Sequence, residues 1–258
     1  MAAVMVCFVM AALLYPAAAC AGAEEASFLS RVGTSFRNNI IAENRWLIIL
    51  DGLKTTVVIS VFATIFGTLL GGLICFMRMS SNRILSSAAQ VYIAVLRGTP
   101  LLVFLMLMFY VVFATVDISP VIVAVIAFGM NFAAYVAEIY RAGINSIDRG
   151  QREAGIAMGF TGFQTFRYII LPQTIQRILP VYKGENISMV KITSVVGYIA
   201  VQDLTKAGDI IRSRTFDAFF PLVMVAILYF LIAWALTAIL EQVERMADPR
   251  SRRRPSAP

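Results

Sequence analysis

The chain has 258 residues, of which 59% are hydrophobic and 14% are charged, and its formal net charge is +7. Several apolar runs are longer than the roughly 20 residues that cross a hydrocarbon core of about 30 Å, which excludes an ordinary soluble domain. Basic residues are expected on the cytoplasmic loops of a membrane protein, so the positive charge does not indicate nucleic-acid binding. There is no histidine and no G-x-x-x-x-G-K-[ST] pattern, and we therefore expect no catalytic residue, metal site or nucleotide site in this chain.

The N-terminal region divides into two segments before the main apolar part begins. Residues 1–21 form an apolar run that ends in small residues, and they are interpreted as a signal peptide or as an extra transmembrane helix. Residues 22–51 mix basic and apolar side chains, which favours an extracytoplasmic helix on the membrane surface or a partly ordered linker. A basic cytoplasmic tail is expected over residues 242–258.

The region 52–241 predicts five core transmembrane helices, so the fold class is all-α integral membrane. In the first span, Ser60, Thr64, Gly67 and Gly71 recur on one face, which favours close packing against another helix. A Gly98–Pro100 break interrupts the second span. The predicted spans are Leu53–Met77, Ser86–Ala114, Val121–Arg141, Gln173–Ala200 and Phe219–Leu240.

A polar island at residues 149–172 lies between the third and fourth spans. Asp148 is predicted to begin a short helix over about 149–158, and Thr161 with Gln164 forms a capping box that begins another over about 162–170. We expect a hinge between Gly159 and Gly162, and we expect Pro172 to end the second helix. Lysines and arginines are more frequent in the segments on the island's side of the membrane than in the segments on the opposite side, which predicts that the island faces the cytoplasm.

The sequence of the island resembles the EAA motif of permease subunits of ABC importers. The match runs through Glu153-Ala154-Gly155, Gly159, Ile169 and Leu171-Pro172, and it departs at Gly155, where that family usually has a second alanine. The resemblance implies a coupling helix that docks on a separate ATPase. The implied coupling residues are Glu153, Ala154, Gly155, Gly159, Phe163, Phe166, Leu171 and Pro172.

Two further stretches resemble the polar amino-acid branch of these permeases. They are the run RGTPLL from Arg97 to Leu102 and the run NFAAYVAEIYR from Asn131 to Arg141. A third stretch, Lys191-Ile192-Thr193-Ser194, is similar to the family's K-D-T-S run with isoleucine in place of aspartate. Together these resemblances imply the type I importer fold and a polar amino acid as the transported ligand.

Polar residues within the predicted spans are candidates for a substrate path, because such groups are costly in lipid and are expected to face protein or water. Asn131, Tyr135 and Glu138 fall on one helical face, although Glu138 could instead pair with Arg141. Lys191 could hold a ligand carboxylate or form a structural ion pair. The full predicted path is Arg97, Asn131, Tyr135, Glu138, Lys191, Thr193 and Ser194.

The resemblance also implies a set of partners in the bacterial cytoplasmic membrane. These are a second permease subunit, identical or different, a cytoplasmic ABC ATPase dimer that carries ATP and Mg²⁺, and an extracytoplasmic solute-binding protein. The chain itself is then a transport subunit and not an enzyme. The alternative is a secondary transporter driven by an ion gradient, which usually has repeated halves and more spans.

Overall fold

A computed structural model describes Gly33 and residues 35–247 of the chain, with side chains as far as residue 242. The predicted leader at 1–21 and most of the basic tail lie outside the described residues. Within the described part all regular structure is helical. The α-helices are α1 (Trp46–Arg78), α2 (Arg83–Gly98), α3 (Leu101–Leu107), α4 (Pro120–Asn145), α5 (Arg149–Ala157), α6 (Gly162–Thr165), α7 (Leu171–Ile192), α8 (Leu204–Thr215) and α9 (Phe219–Ala247).

Three of the described helices are each long and apolar enough to cross a membrane alone, namely α1, α4 and α9. Two further spans are possible if each of two bent helix pairs counts as one. In the first pair, the chain bends by 108° between α2 and α3, at the predicted Gly98–Pro100 break. In the second pair, it bends by 55° between the continuous helix Gly162–Ile199 and α8. The first helix begins at Trp46, within the segment that the sequence assigned to the outer surface.

The centre of the fold is the contact between α1 and α4, which run in the same direction. The small residues predicted for close packing lie at this contact. A Cβ atom on Gly67 would lie 2.6 Å from the carbonyl oxygen of Gly129, and one on Gly71 would lie 2.8 Å from the Cβ of Val136. Because no side chain fits there, these glycines set how closely the two helices approach.

A glycine pair in α1 offers a direct test of this packing. We expect Gly71→Ala to lower the free energy of unfolding by about 1–3 kcal/mol, since the added methyl group overlaps Val136. Gly72→Ala is the matched control, because a Cβ there meets only the Tyr140 ring at 3.9 Å. Thermal unfolding of the two variants in the same detergent compares them. Equal midpoints for the two variants would contradict the packing account.

The segment after residue 200 is rich in charged residues, yet it contributes to the core of the fold. It contains α8, whose Leu204, Ala207 and Ile211 are fully buried against α1 and α9. Asp203 caps this helix and is also fully buried, where it accepts a hydrogen bond of 3.0 Å from the Tyr229 hydroxyl. Charges dominate the composition of this segment and conceal its helical apolar face in the sequence.

The helix directions place the connecting segments at two opposite ends of the bundle. The α1–α2 turn, the end of α4, the island and the start of α7 lie together at one end. Gly143 at the end of α4 packs against Thr174 near the start of α7, where a Cβ atom on the glycine would lie 3.2 Å from Thr174 Cγ2. The segment before α1, the α7–α8 bend and the start of α9 lie at the other end, where Asn39 Nδ2 donates to Asp217 at 2.8 Å.

Candidate functional site

The island folds into a compact helical knob, which we define as residues 148–173. Its first helix, α5, begins as predicted at Asp148, whose Oδ1 accepts a hydrogen bond of 2.6 Å from the amide of Gly150. It ends at Ala157, and Gly159, two residues further on, adopts the left-handed conformation with φ of +83°. The amide of Phe160 then donates back to the carbonyl of Gly155 at 3.1 Å, which closes the helix end.

The second part of the knob begins with the predicted capping box. The amide of Thr161 donates to Gln164 Oε1 at 2.8 Å, and the amide of Gln164 donates to Thr161 Oγ1 at 3.2 Å. The prediction that Pro172 ends this helix was wrong. The chain passes through a π-helical turn at Phe166–Ile170 and continues into α7 without a break. The wider turn directly precedes the proline, whose ring would otherwise collide with the carbonyl four residues earlier.

Gly155 is the point at which the two parts of the knob pack together. It is buried, and a Cβ atom there would lie 2.7 Å from Cγ2 and 2.9 Å from Oγ1 of Thr165. Thr165 is fully buried, and its Oγ1 has no hydrogen-bond partner in the described part of the chain. The EAA-like run has Gly155 where the family usually has a second alanine. The side chain of Thr165 occupies the space that the methyl group of that alanine would need.

This contact predicts a compensating pair of substitutions. We expect Gly155→Ala to loosen the knob and to raise amide hydrogen exchange in residues 149–170 by about 5- to 100-fold, because overpacking costs roughly 1–3 kcal/mol. Adding Thr165→Ala should restore slow exchange, since it removes both overlapping atoms and breaks no hydrogen bond. Gly162→Ala is the control, because a Cβ there meets nothing within 4 Å. Exchange as slow in Gly155→Ala as in the control would contradict this contact.

The knob presents a large apolar surface at its free side. Phe163 is 77% exposed and Met158 is 74% exposed, and Tyr168 and Ile156 are more than half exposed. Phe163 was among the predicted coupling residues, whereas Met158, Tyr168 and Ile156 were not. Such a patch outside a span is typical of a surface that contacts another protein.

The remaining predicted coupling residues occupy different positions on the knob. Glu153, Ala154 and Gly159 are exposed, as is Pro172. In the described part of the chain the Glu153 carboxylate has no hydrogen-bond or ion-pair partner. Phe166 and Leu171, which also belong to the knob, are partly buried. The exposed carboxylate therefore lies on the same short helix as Ile156, and Met158 directly follows that helix.

The knob is attached to the spans on both sides. Gln173 Nε2 donates to the carbonyl of Ile169 at 2.9 Å and to Gln151 Oε1 at 3.3 Å, which joins the start of α7 to α5. The guanidinium of Arg177 on α7 donates to the carbonyl of Ser146 at the end of α4. The knob is therefore bonded to the start of α7, and α7 is bonded in turn to the end of α4.

A second feature, which we call the central cavity, is a half-open pocket of about 370 Å³ at the α2–α3 break, between α4 and α7. Arg97, Ser188 and Ile192 in its lining are exposed. Three of the predicted path residues line it, and Glu185 is a further charged residue there that the predicted path did not include. The lining residues are Arg97, Gly98, Thr99, Pro100, Leu101, Asn131, Phe132, Tyr135, Glu185, Ser188, Met189 and Ile192.

Asn131 holds the broken end of α2 in place. Pro100 has no amide hydrogen, so the carbonyl of Leu96 lacks its normal helical donor. The side-chain Nδ2 of Asn131 donates to that carbonyl at 2.9 Å. Asn131 is buried, and this bond fixes both the bend and one wall of the cavity.

Arg97 and Glu185 bring opposite charges to the cavity from different helices. The guanidinium of Arg97 lies over the Tyr135 ring, with 5.1 Å between its central carbon and the ring centroid. In the described part of the chain no hydrogen bond or ion pair occupies the N–H groups of this guanidinium, so they can bind a ligand. Glu185 on α7 is partly buried, and no hydrogen bond or ion pair joins it to another described residue.

The other predicted path residues do not line the cavity. Glu138 forms the structural ion pair with Arg141, at 2.7 Å between Oε2 and the guanidinium, and Lys191 is exposed. Thr193 is buried and donates to the carbonyl of Val190 at 2.7 Å. From Thr193 the helix tightens into 3₁₀ turns, with about three residues per turn, which rotates Thr193 and Ser194 relative to the face that contains Ser188. A role of these residues in a substrate path stays a prediction.

Comparison with known protein families gives a match over most of the described chain. The profile of the family described as "Binding-protein-dependent transport system inner membrane component" matches residues 63–253. The matched region contains both the knob and the central cavity.

Individual relatives agree with the family match. The chain is 36% identical to the glutamine transport system permease protein GlnP of Escherichia coli, over 77% of this chain and 92% of the relative. It is 34% identical to the L-cystine transport system permease protein TcyB of Bacillus subtilis, over 84% of this chain and 94% of the relative. It also resembles the crystal structure of an amino acid ABC transporter with histidines, with 39% identity, a TM-score of 0.70, and coverage of 77% of this chain and 94% of that chain.

Proposed function

The chain belongs to the family of inner membrane components of binding-protein-dependent transport systems, and from this we propose that it forms, with a second permease subunit, the path of an amino acid into the cell. As a member of the family it is a bacterial inner-membrane transport subunit and not an enzyme, and it works with an ATPase and a binding protein. The comparisons give no support to a secondary transporter. In this proposal residues 52–241 are the transmembrane domain, and ATP and Mg²⁺ bind to the partner ATPase.

The knob is the proposed site of energy coupling. Its exposed apolar residues Met158, Phe163 and Tyr168 offer the contact area that a groove on a cytoplasmic ATPase dimer requires, and Glu153 adds a charge beside them. ATP can shift the permease only if the knob fits the closed and open ATPase differently. The bonds from Gln173 and Arg177 then pass that difference to α7 and α4.

The central cavity is the proposed binding site for the amino acid. A free amino acid has a carboxylate and an ammonium group, which match the guanidinium of Arg97 and the carboxylate of Glu185. Hydrogen bonds between charged groups are stronger than neutral ones, and a guanidinium can bind a carboxylate through two parallel bonds. This arrangement of opposite charges in one cavity is the observation that carries the ligand class. The names of the relatives, which mention glutamine and L-cystine, agree with it.

Reconstitution tests the whole proposal. The permease, its ATPase and its binding protein are assembled in liposomes, and ATP hydrolysis is measured with a panel of amino acids and with a panel of sugars. We expect at least one amino acid, and no sugar, to stimulate hydrolysis and to accumulate inside the liposomes. Accumulation that follows an ion gradient without ATP would contradict the proposal.

A further inference from the structure

The charges of the central cavity indicate which amino acids it can bind, in addition to the class of ligand. Among the described residues that line the cavity, Arg97 is the cation and Glu185 is the anion, so the lining is neutral overall. The carboxylate and ammonium groups that all free amino acids share would use both of these charges. No counter-charge is then left in the lining for a charged ligand side chain.

The rest of the lining is poorly suited to a further charge. Leu101, Phe132, Met189 and Ile192 are apolar, and Thr99 and Ser188 bring hydroxyl groups. Ser188 already donates its proton to the carbonyl of Gly184 at 3.1 Å, and Thr99 donates to the carbonyl of Val95 at 2.8 Å. A charged ligand side chain would meet apolar surface here and no further group of opposite charge in the lining.

From these observations we infer that the central cavity selects amino acids whose side chain carries no charge, and that it disfavours basic and acidic ones. This inference rests on the proposed transport function and specifies its substrate. The hydroxyl oxygens of Thr99 and Ser188 can still accept hydrogen bonds, so an amide or a hydroxyl on the ligand is compatible with the lining.

Ile192 provides a way to change the selectivity. It lines the cavity, and it stands where the similar K-D-T-S run has an acidic residue. Ile192→Asp would add a second carboxylate to a lining that already contains Glu185, and it would give the lining a net negative charge. A basic ligand side chain would then find a counter-charge, while Ile192→Asn changes polarity without charge and is the matched control.

Direct binding separates the cavity from the selectivity of the binding protein. Radiolabelled L-glutamine, L-leucine, L-arginine and L-glutamate are tested by equilibrium dialysis against the purified permease–ATPase complex, without the binding protein. We expect at least one of the two neutral ligands to bind roughly tenfold or more tightly than either charged one. In Ile192→Asp the affinity for arginine relative to glutamine should rise by about tenfold or more, and in Ile192→Asn it should not.

Several outcomes would overturn the inference. Arginine or glutamate binding to the wild type as tightly as the neutral ligands would do so, and so would an Ile192→Asp preference identical to that of the wild type. Absence of binding by all four ligands would also overturn it. Amino-acid-stimulated ATP hydrolysis in the reconstituted transporter is measured separately, and its presence would keep the proposed function intact even when the inference about side-chain charge fails.

Discussion

Replacing Glu153 with lysine is expected to reduce ATP-driven uptake by roughly 100-fold or more, because a misplaced charge at a protein interface costs several kcal/mol. Glu153 is exposed on α5 beside Ile156, and the knob contains no partner for it among the described residues. Its expected partner is therefore a basic group on the ATPase. Uptake of labelled substrate by liposomes that contain the complete transporter measures the effect.

Two controls separate lost coupling from lost folding in this variant. Glu153→Gln keeps the shape of the side chain and removes its charge, and we expect it to reduce uptake less than the charge reversal does. The Glu153→Lys permease should insert into membranes at the wild-type level and unfold at the wild-type temperature. Wild-type uptake by Glu153→Lys would contradict the assignment of the knob as the coupling site.

Replacing Arg97 with methionine is expected to raise the substrate dissociation constant by about 10- to 100-fold. The methionine retains an apolar stem against Tyr135 but cannot donate to a ligand carboxylate, and hydrogen bonds to charged groups contribute about 1.5–3 kcal/mol. Arg97→Lys keeps the charge without the paired N–H geometry, so its dissociation constant should lie between those of the wild type and Arg97→Met. Equilibrium dialysis against the permease–ATPase complex gives the three constants.

The control for this series is Arg83→Met, since Arg83 is exposed at the start of α2 and does not line the central cavity. We expect its dissociation constant to equal that of the wild type. If Arg97→Met binds substrate as tightly as Arg83→Met, the amino-acid carboxylate does not bind at Arg97 and the cavity assignment is wrong.

Local sequence signals predicted the knob well because its start and hinge depend on neighbouring residues. The Asp148 cap, the capping box of Thr161 and Gln164, and the left-handed Gly159 were all confirmed. Each is a contact between residues two to three positions apart, or a backbone conformation that glycine adopts easily. The exception is Pro172, where a π-helical turn absorbed the expected helix end.

The composition of the cavity could not be predicted in the same way, because four separate helices, α2, α3, α4 and α7, form it. The sequence predicted Arg97, Asn131 and Tyr135 in a substrate path, and all three do line the central cavity. It could not place Glu185, since the rotation of α7 relative to α4 is set by packing at Gly143. The hydrogen bond by which Asn131 replaces the donor missing at Pro100 likewise joins residues 35 positions apart in the sequence.

The buried face of α8 was missed for a related reason. Its charges at Lys206, Asp209 and Arg212 indicated a solvated segment, and the apolar positions between them were too few for a strong periodic signal. Burial of Asp203 depends on the hydroxyl of Tyr229, which lies 26 residues away in α9. A single sequence contains no signal that pairs these two residues.

Site-specific photocross-linking tests the coupling claim most directly. A photoreactive phenylalanine analogue is placed at Phe163 on the knob or at Phe216, which is 95% exposed at the opposite end of the bundle. The assembled transporter is then irradiated, and adducts are identified by mass. The account predicts a covalent adduct with the ATPase from position 163 and none from position 216. An ATPase adduct from position 216, or none from position 163, would contradict it.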